Sequence, residues 1–113
     1  MDIRQMKMED ALIIKLSGRF DAQNATTVEE ELLNSIESEK RKVILDFEHV
    51  DYISSSGLRT LLSALKASKN RKIDFLLAEL QPSIRYIFDL AGFNTLFTIF
   101  PTVDEARRNE GQP

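Results

Sequence analysis

Three consecutive hydroxyls, Ser54, Ser55 and Ser56, stand directly before Gly57. They are the side chains best placed for chemistry, since a serine hydroxyl can accept a phosphoryl group or, beside a histidine base, attack a carbonyl. Upstream, Val43, Ile44, Leu45 and Phe47 form an apolar run that suits a strand covered on both faces, with Asp46 as its polar exception. A short loop is expected between that run and the serines. Downstream, Leu58, Leu61, Leu62 and Leu65 recur at helical spacing, while Arg59, Ser63 and Lys66 fall on the other, solvated side. The cluster therefore sits near the unsatisfied N–H groups of a helix start, where a partial positive charge favours an anion. A phosphoserine, with about 1.5 to 2 negative charges, would be tolerated there. One serine at such a position can also be a plain N-cap. A cap needs only one of the three, and small residues also allow tight packing, so the residues alone leave both readings open.

Other arrangements of reactive residues are weaker. His49 is the single histidine, but no glycine precedes Ser55 by two residues, so the Gly-x-Ser-x-Gly elbow of a serine hydrolase is missing. His49 is expected in the loop. Asp46, Glu48 and Asp51 could suggest a magnesium pocket, yet they are better read as solvated or capping groups. No glycine-rich loop with a lysine is present to cradle a nucleotide, so hydrolysis by the chain alone has no visible machinery. The chain reads as a substrate and ligand, with no enzyme activity and no cofactor or metal. Asp21 follows a strand end, as Ser55 does, and can share its surface; it would position a nucleotide or hydroxyl, or cap a helix. Gly18 either ends a strand or supplies φ > 0.

The surrounding elements follow from periodicity. Residues 3–8 and 11–17 are strand candidates separated by Glu9 and Asp10, which suits a hairpin. A helix begins between Asp21 and Thr27, with Val28, Leu32 and Ile36 on one face and Thr27-x-x-Glu30 as a capping box. Residues 73–78 read as a buried strand, and Pro82 and Gly92 bracket a helix with Ile84, Ile87, Phe88 and Ala91 inward. Residues 97–100 make a short last strand and Thr102-x-x-Glu105 caps a short last helix. Phe93, Leu96, Phe97 and Phe100 are read as core rather than as a partner patch. Alternation of strand and helix implies parallel strands joined by right-handed crossovers, and the hairpin makes the sheet mixed.

Composition agrees. A chain of 113 residues, 42% hydrophobic and 29% charged, is that of one globular domain. With a net charge of −3 and no basic run longer than Lys40-Arg41-Lys42, a direct nucleic-acid partner is not expected. The basic trio is read as solubilising a loop. No cysteine is present, which removes disulfides and thiolate metal sites. No segment approaches the roughly 20 apolar residues of a membrane span, and residues 1–6 are no signal peptide, so a cytoplasmic location is expected. Residues 109–113 are expected to be a disordered tail.

Residues 50–58, Val-Asp-Tyr-Ile-Ser-Ser-Ser-Gly-Leu, after an apolar strand, resemble the STAS domain of bacterial anti-sigma factor antagonists. Leu16-Ser-Gly-Arg-Phe-Asp21 resembles a second signature of that family, matched at Gly18 and Asp21. The resemblance runs from Ile3 to about Arg107. It implies a single STAS-like α/β domain over residues 1–108, with a mixed, mostly parallel sheet of about five strands and about four helices. It also implies an anti-sigma factor antagonist that binds an anti-sigma factor serine kinase, releases the sigma factor, and loses that binding when phosphorylated. Ser55 matches the phosphorylated serine, with Ser54 and Ser56 as alternatives, and a serine phosphatase would reset it. Ser54 stands where the family usually has aspartate. The partner-binding surface would comprise Asp21, Ser54, Ser55, Ser56, Gly57, Arg59, Ser63 and Lys66, on a monomer when isolated. Two other readings remain at this point: a non-switching STAS subunit of a stress-signalling scaffold or a membrane-transporter complex, and a small-molecule enzyme.

Overall fold

The computed structural model of the chain describes residues 1–39 and 41–109. Its elements are β1 (Asp2–Lys7), β2 (Ala11–Phe20), α1 (Ala25–Ser38), β3 (Lys42–Ile53), α2 (Ser55–Arg71), β4 (Asp74–Ala78), α3 (Pro82–Ala91), a 3-10 turn (Phe93–Thr95), β5 (Thr98–Phe100) and α4 (Val103–Arg108). The five strands form one sheet in the order β1-β2-β3-β4-β5. β1 and β2 are antiparallel and every other pair is parallel. This is the mixed α/β sheet with four helices that the alternation predicts.

The strand order decides how the two faces are covered. Each parallel strand is laid beside the last in the same direction, so crossovers of one hand place their helices on one face. α1, α2 and α3 accordingly share a core with Leu12, Ile14, Leu16, Val43, Leu45, Phe47 and Leu77 of the sheet. Phe88 is fully buried there, with its ring edge-on to Phe47 and Phe93. The second face holds a smaller cluster, Ala11, Ile13, Ile44, Leu76 and Ala78, covered by Ala106 of α4.

Several local expectations change. β3 runs to Ile53, so the expected loop after Phe47 is strand and His49 is an exposed strand residue. Its register against β2 jumps between Lys15 and Ser17 and again between Gly18 and Arg19, and both extra residues lie in β3. Buried positions there are consequently three apart, at Phe47, Val50 and Ile53, which hides the strand's period of two. Gly18 does not end β2 but lies within it at φ +112°. α1 starts at Ala25 with Asn24 in the N-cap position, so Thr27 is inside the helix and no capping box forms on it, and Asp21 is not the cap. Ala91 and Leu96 are exposed, whereas Phe97 is buried and Phe93 and Phe100 are half-buried. Pro82, Gly92 and the Thr102 cap stand as expected, Thr102 Oγ1 accepting from the Glu105 N–H at 3.1 Å.

Lys42 differs most from its expected role. It lies within β3, 9% exposed, and its ammonium donates to the carbonyls of Ala106 (3.1 Å), Arg107 (2.9 Å) and Asn109 at the end of α4. A cation there engages carbonyls at the C-terminal end of the helix, of which that of Ala106 also accepts from the Asn109 N–H at 3.3 Å, and complements the helix dipole. Asn109 is thereby held to the sheet. Lys40 and residues 110–113, which include the rest of the expected tail, lie outside the described residues.

Candidate functional site

The serine cluster lies where β3 gives way to α2. Ser54 is extended (φ −94°, ψ 174°), its N–H donates to the Phe20 carbonyl at 2.9 Å, and its carbonyl accepts from the Leu58 N–H at 2.9 Å. Its side-chain Oγ accepts from the Gly57 N–H at 3.2 Å. Ser54 is thus the N-cap, and its hydroxyl is spent on the helix. Ser55 opens the helix and is exposed, and among the described residues no hydrogen bond engages its hydroxyl. Ser56 is half-buried and lies at 3.5 Å from Arg59 Nη2. Within the cluster one serine caps the helix, and its neighbour is presented to solvent.

Gly57 fixes the height of that presentation. A Cβ there would stand 2.8 Å from Ile53 Cγ1, 3.0 Å from the Phe20 carbonyl oxygen and 3.2 Å from Phe20 Cδ1. Only glycine lets the first turn of α2 close on the end of β2. Gly57 is therefore buried, and its contribution is to docking of the helix rather than to a contact surface. Farther along α2, Arg59 and Lys66 are exposed as expected, but Ser63 is half-buried, 3.5 Å from Glu29 Oε2 of α1. Leu62, expected inside, is 36% exposed.

The Phe20–Ser54 hydrogen bond places Asp21 beside the cluster, because it is the next residue after Phe20. Asp21 Oδ1 accepts from the Gln23 N–H at 3.1 Å, closing a turn, and Asn24 Oδ1 accepts from the Asp21 N–H at 3.0 Å. Asp21 Oδ2 lies 3.8 Å from Arg19 Nε. The Arg19 guanidinium stacks over the Tyr52 ring at 4.0 Å from its centroid. Arg19 and Tyr52 face each other in the β2–β3 register and both are exposed, so an oriented cation and an aromatic ring join this edge. Sequence reading missed this pair, since the register shift that aligns them has no local signal. The arrangement offers a hydroxyl at a helix start, with Asp21 and a stacked guanidinium alongside.

The other candidate groups lie elsewhere. His49 Nε2 is 3.8 Å from Glu48 Oε1, and no hydrogen bond among the described residues joins it to a serine. Among the described residues no three His, Cys, Asp or Glu side chains converge to hold a metal. Asp46, expected to be solvated or capping, is buried on the second face of the sheet, where its carboxylate accepts from the Glu48 N–H at 2.9 Å. Burial pushes its carboxyl above the ordinary value; the Glu48 N–H and Lys15 oppose that shift, and Glu79 and Glu48 add to it. Among the described residues no helix is long and apolar enough to cross a membrane.

Comparison with known proteins places this geometry in context. The profile of the STAS domain family matches residues 3–106. BtrV of Bordetella bronchiseptica, described by its name as a candidate anti-sigma factor antagonist, is 34% identical over 99 residues, 88% of this chain and 85% of that protein. An anti-sigma-factor antagonist (STAS) domain protein of Planctomyces limnophilus has a similar structure, with a TM-score of 0.85 at 20% identity over 95% of this chain and 96% of that one. The Bacillus cell fate determinant SpoIIAA in its phosphorylated form has a TM-score of 0.70 at 20% identity, over 93% of this chain and 96% of that one. At such identities the two structures speak to the fold.

Proposed function

The chain belongs to the STAS domain family, and we propose that it is an anti-sigma factor antagonist whose docking on an anti-sigma factor serine kinase is ended by phosphorylation of Ser55. In this reading it is the substrate and ligand of its partner and not itself an enzyme. The observation that carries the assignment is the division of labour in the cluster: Ser54 caps α2, Ser56 is half-buried, and Ser55 alone is both exposed and unengaged. The relative BtrV supports the antagonist role, and phosphorylated SpoIIAA offers a precedent on the same fold.

The physical basis of the switch would be local. N–H groups of the first turn of α2 and the helix dipole would tolerate a phosphate on Ser55, so the domain stays folded. Across an interface, the same dianion must be desolvated against the partner. A loss of about 3 kcal/mol lowers affinity more than a hundredfold, and one uncompensated buried charge is enough for that. Ser54 and Ser56 would flank the contact, with Asp21, Arg59 and Lys66 on its rim. Ser63 would contribute less, and Gly57 only through the seat of the helix. A serine phosphatase would restore the docking form.

The test is incubation of the chain with ATP, magnesium and anti-sigma kinases of its own organism, followed by intact mass, fragment mapping and a binding assay. One phosphate on Ser55 with lost kinase binding is the expected result, and Ser55→Ala should bind yet resist modification. Full phosphorylation of Ser55→Ala would move the site to Ser54 or Ser56. A stable complex without modification would replace the switch with a constitutive scaffold role.

A further inference from the structure

A cavity of about 520 Å³ opens on the second face of the sheet, between the β1–β2 ladder and α4. It lies away from the serine edge and owes nothing to the reading of Ser55. Small-molecule sites commonly fall in the range of about 300 to 1,000 Å³, with apolar walls and a few convergent polar groups. This cavity is of that size, and charged groups outnumber apolar ones around it. Met6, Met8, Ile13 and Val103 supply the apolar surface, and Arg4, Lys15, Asp46, Glu79, Asp104 and Arg107 supply the charges.

The charges are not equally engaged. Arg4 is held by Asp2 at 2.9 Å, Lys15 by Glu48 at 3.3 Å, and Arg107 by Asp10 at 3.3 Å and Asp104 at 3.8 Å. Asp46 and Glu79 take part in no ion pair among the described residues. Each accepts from a backbone N–H, Asp46 from Glu48 and Glu79 from Val103, both at 2.9 Å. Asp46 is only 7% exposed. A carboxylate so enclosed loses hydration that one N–H and the charge of Lys15 only partly replace, and an added cation would improve the balance. Glu79 is the other carboxylate of the cavity. It is held at φ +65°, a costly conformation for a residue with a side chain, which persists only where its surroundings enforce it. That backbone places Glu79 directly after β4, and Ala78 at the end of that strand faces Asp46 in the register.

We propose that this cavity binds a small amphipathic amine, its ammonium seated between Asp46 and Glu79 and its hydrocarbon body against Met6, Met8, Ile13 and Val103. An ammonium supplies three donors and a further positive charge. An anionic ligand would meet cations already paired and two carboxylates that repel it. The flexible thioethers of Met6 and Met8 can adapt to a hydrocarbon chain. Met6 is 58% exposed, so the entrance is open to solvent.

The experiment titrates n-hexylamine, n-hexanoate and n-hexanol into the full chain and follows the methyl resonances of Met6, Met8, Ile13 and Val103 by NMR. Hexylamine should shift them saturably. It should bind at least about tenfold more tightly than hexanol or hexanoate, equivalent to about 1.4 kcal/mol. Asp46→Asn and Glu79→Gln each keep an acceptor for the local N–H, so both should remain folded, as the remaining spectrum will show, and each should weaken hexylamine by a similar factor. Two variants at different positions guard against misfolding of one. No saturable shift with hexylamine, equal binding of hexanoate, or undiminished binding in either folded variant overturns the proposal.

Discussion

Gly57 and Asp46 show how one atom or one proton decides the fate of a position. An alanine at 57 must push aside Ile53 Cγ1, which can rotate, and the Phe20 carbonyl, which is pinned by Ser54. Gly57→Ala is therefore expected to destabilise the chain by about 1 to 3 kcal/mol, the usual cost of overpacking, as a lower urea midpoint. Asp46 acts through charge. Its carboxyl pKa is raised in the folded chain, chiefly by burial, so the folded state holds this proton to higher pH than the unfolded state does. No penalty exists where both states are protonated; it develops as pH rises from the unfolded pKa through the folded one, and is complete above it. Asp46→Asn is expected to raise stability at neutral pH, with the gain vanishing in acid, in urea melts of both proteins across that range. The place of Ser55 at the opening of α2 was legible because the apolar period changes beside it. Asp46 was misread because the strands that flank it, β2 at Lys15 and β4 at Ala78, lie far away in the chain.

At the level of elements, helices were easier to read than the long strand. Pro82 and Gly92 bracket α3 by backbone chemistry that works wherever the helix packs, and Thr102 caps α4 for the same reason. β3 was cut short because its two extra residues space the buried positions Phe47, Val50 and Ile53 by three, a pattern that matches no strand template. Lys42 was read as a loop solubiliser because three adjacent cations look the same whether or not a helix end descends on one of them. Its ammonium serves two carbonyls of a helix only six residues long and that of its C-cap Asn109, and such a helix is too short to be stable alone. Lys42→Met keeps the aliphatic stem and removes the donors. It is expected to cost about 2 kcal/mol, and amide exchange should quicken in α4 well before it quickens in β3.

Across the whole molecule, the fold class was legible from alternation alone, but the unequal cover of the two sheet faces was not. It follows from strand order, which only the assembled sheet displays. Phe88 lies where α3, β3 and the last turn meet, with three other phenylalanines around its ring. Phe88→Ala is expected to cost about 3 to 5 kcal/mol and to lower the midpoint of a single cooperative melt, seen alike by far-UV circular dichroism and tyrosine fluorescence. The hydrogen bond from Ser54 to the Phe20 carbonyl has a consequence in time rather than in space. The first turn of α2 is anchored on a strand that precedes it by a whole crossover, so the exposed Ser55 takes its place only after β2, α1 and β3 have closed on one another. An unfolded chain carries the three serines but not that edge. Any partner that read the edge would thereby be restricted to finished molecules, and a site there would double as a certificate of folding.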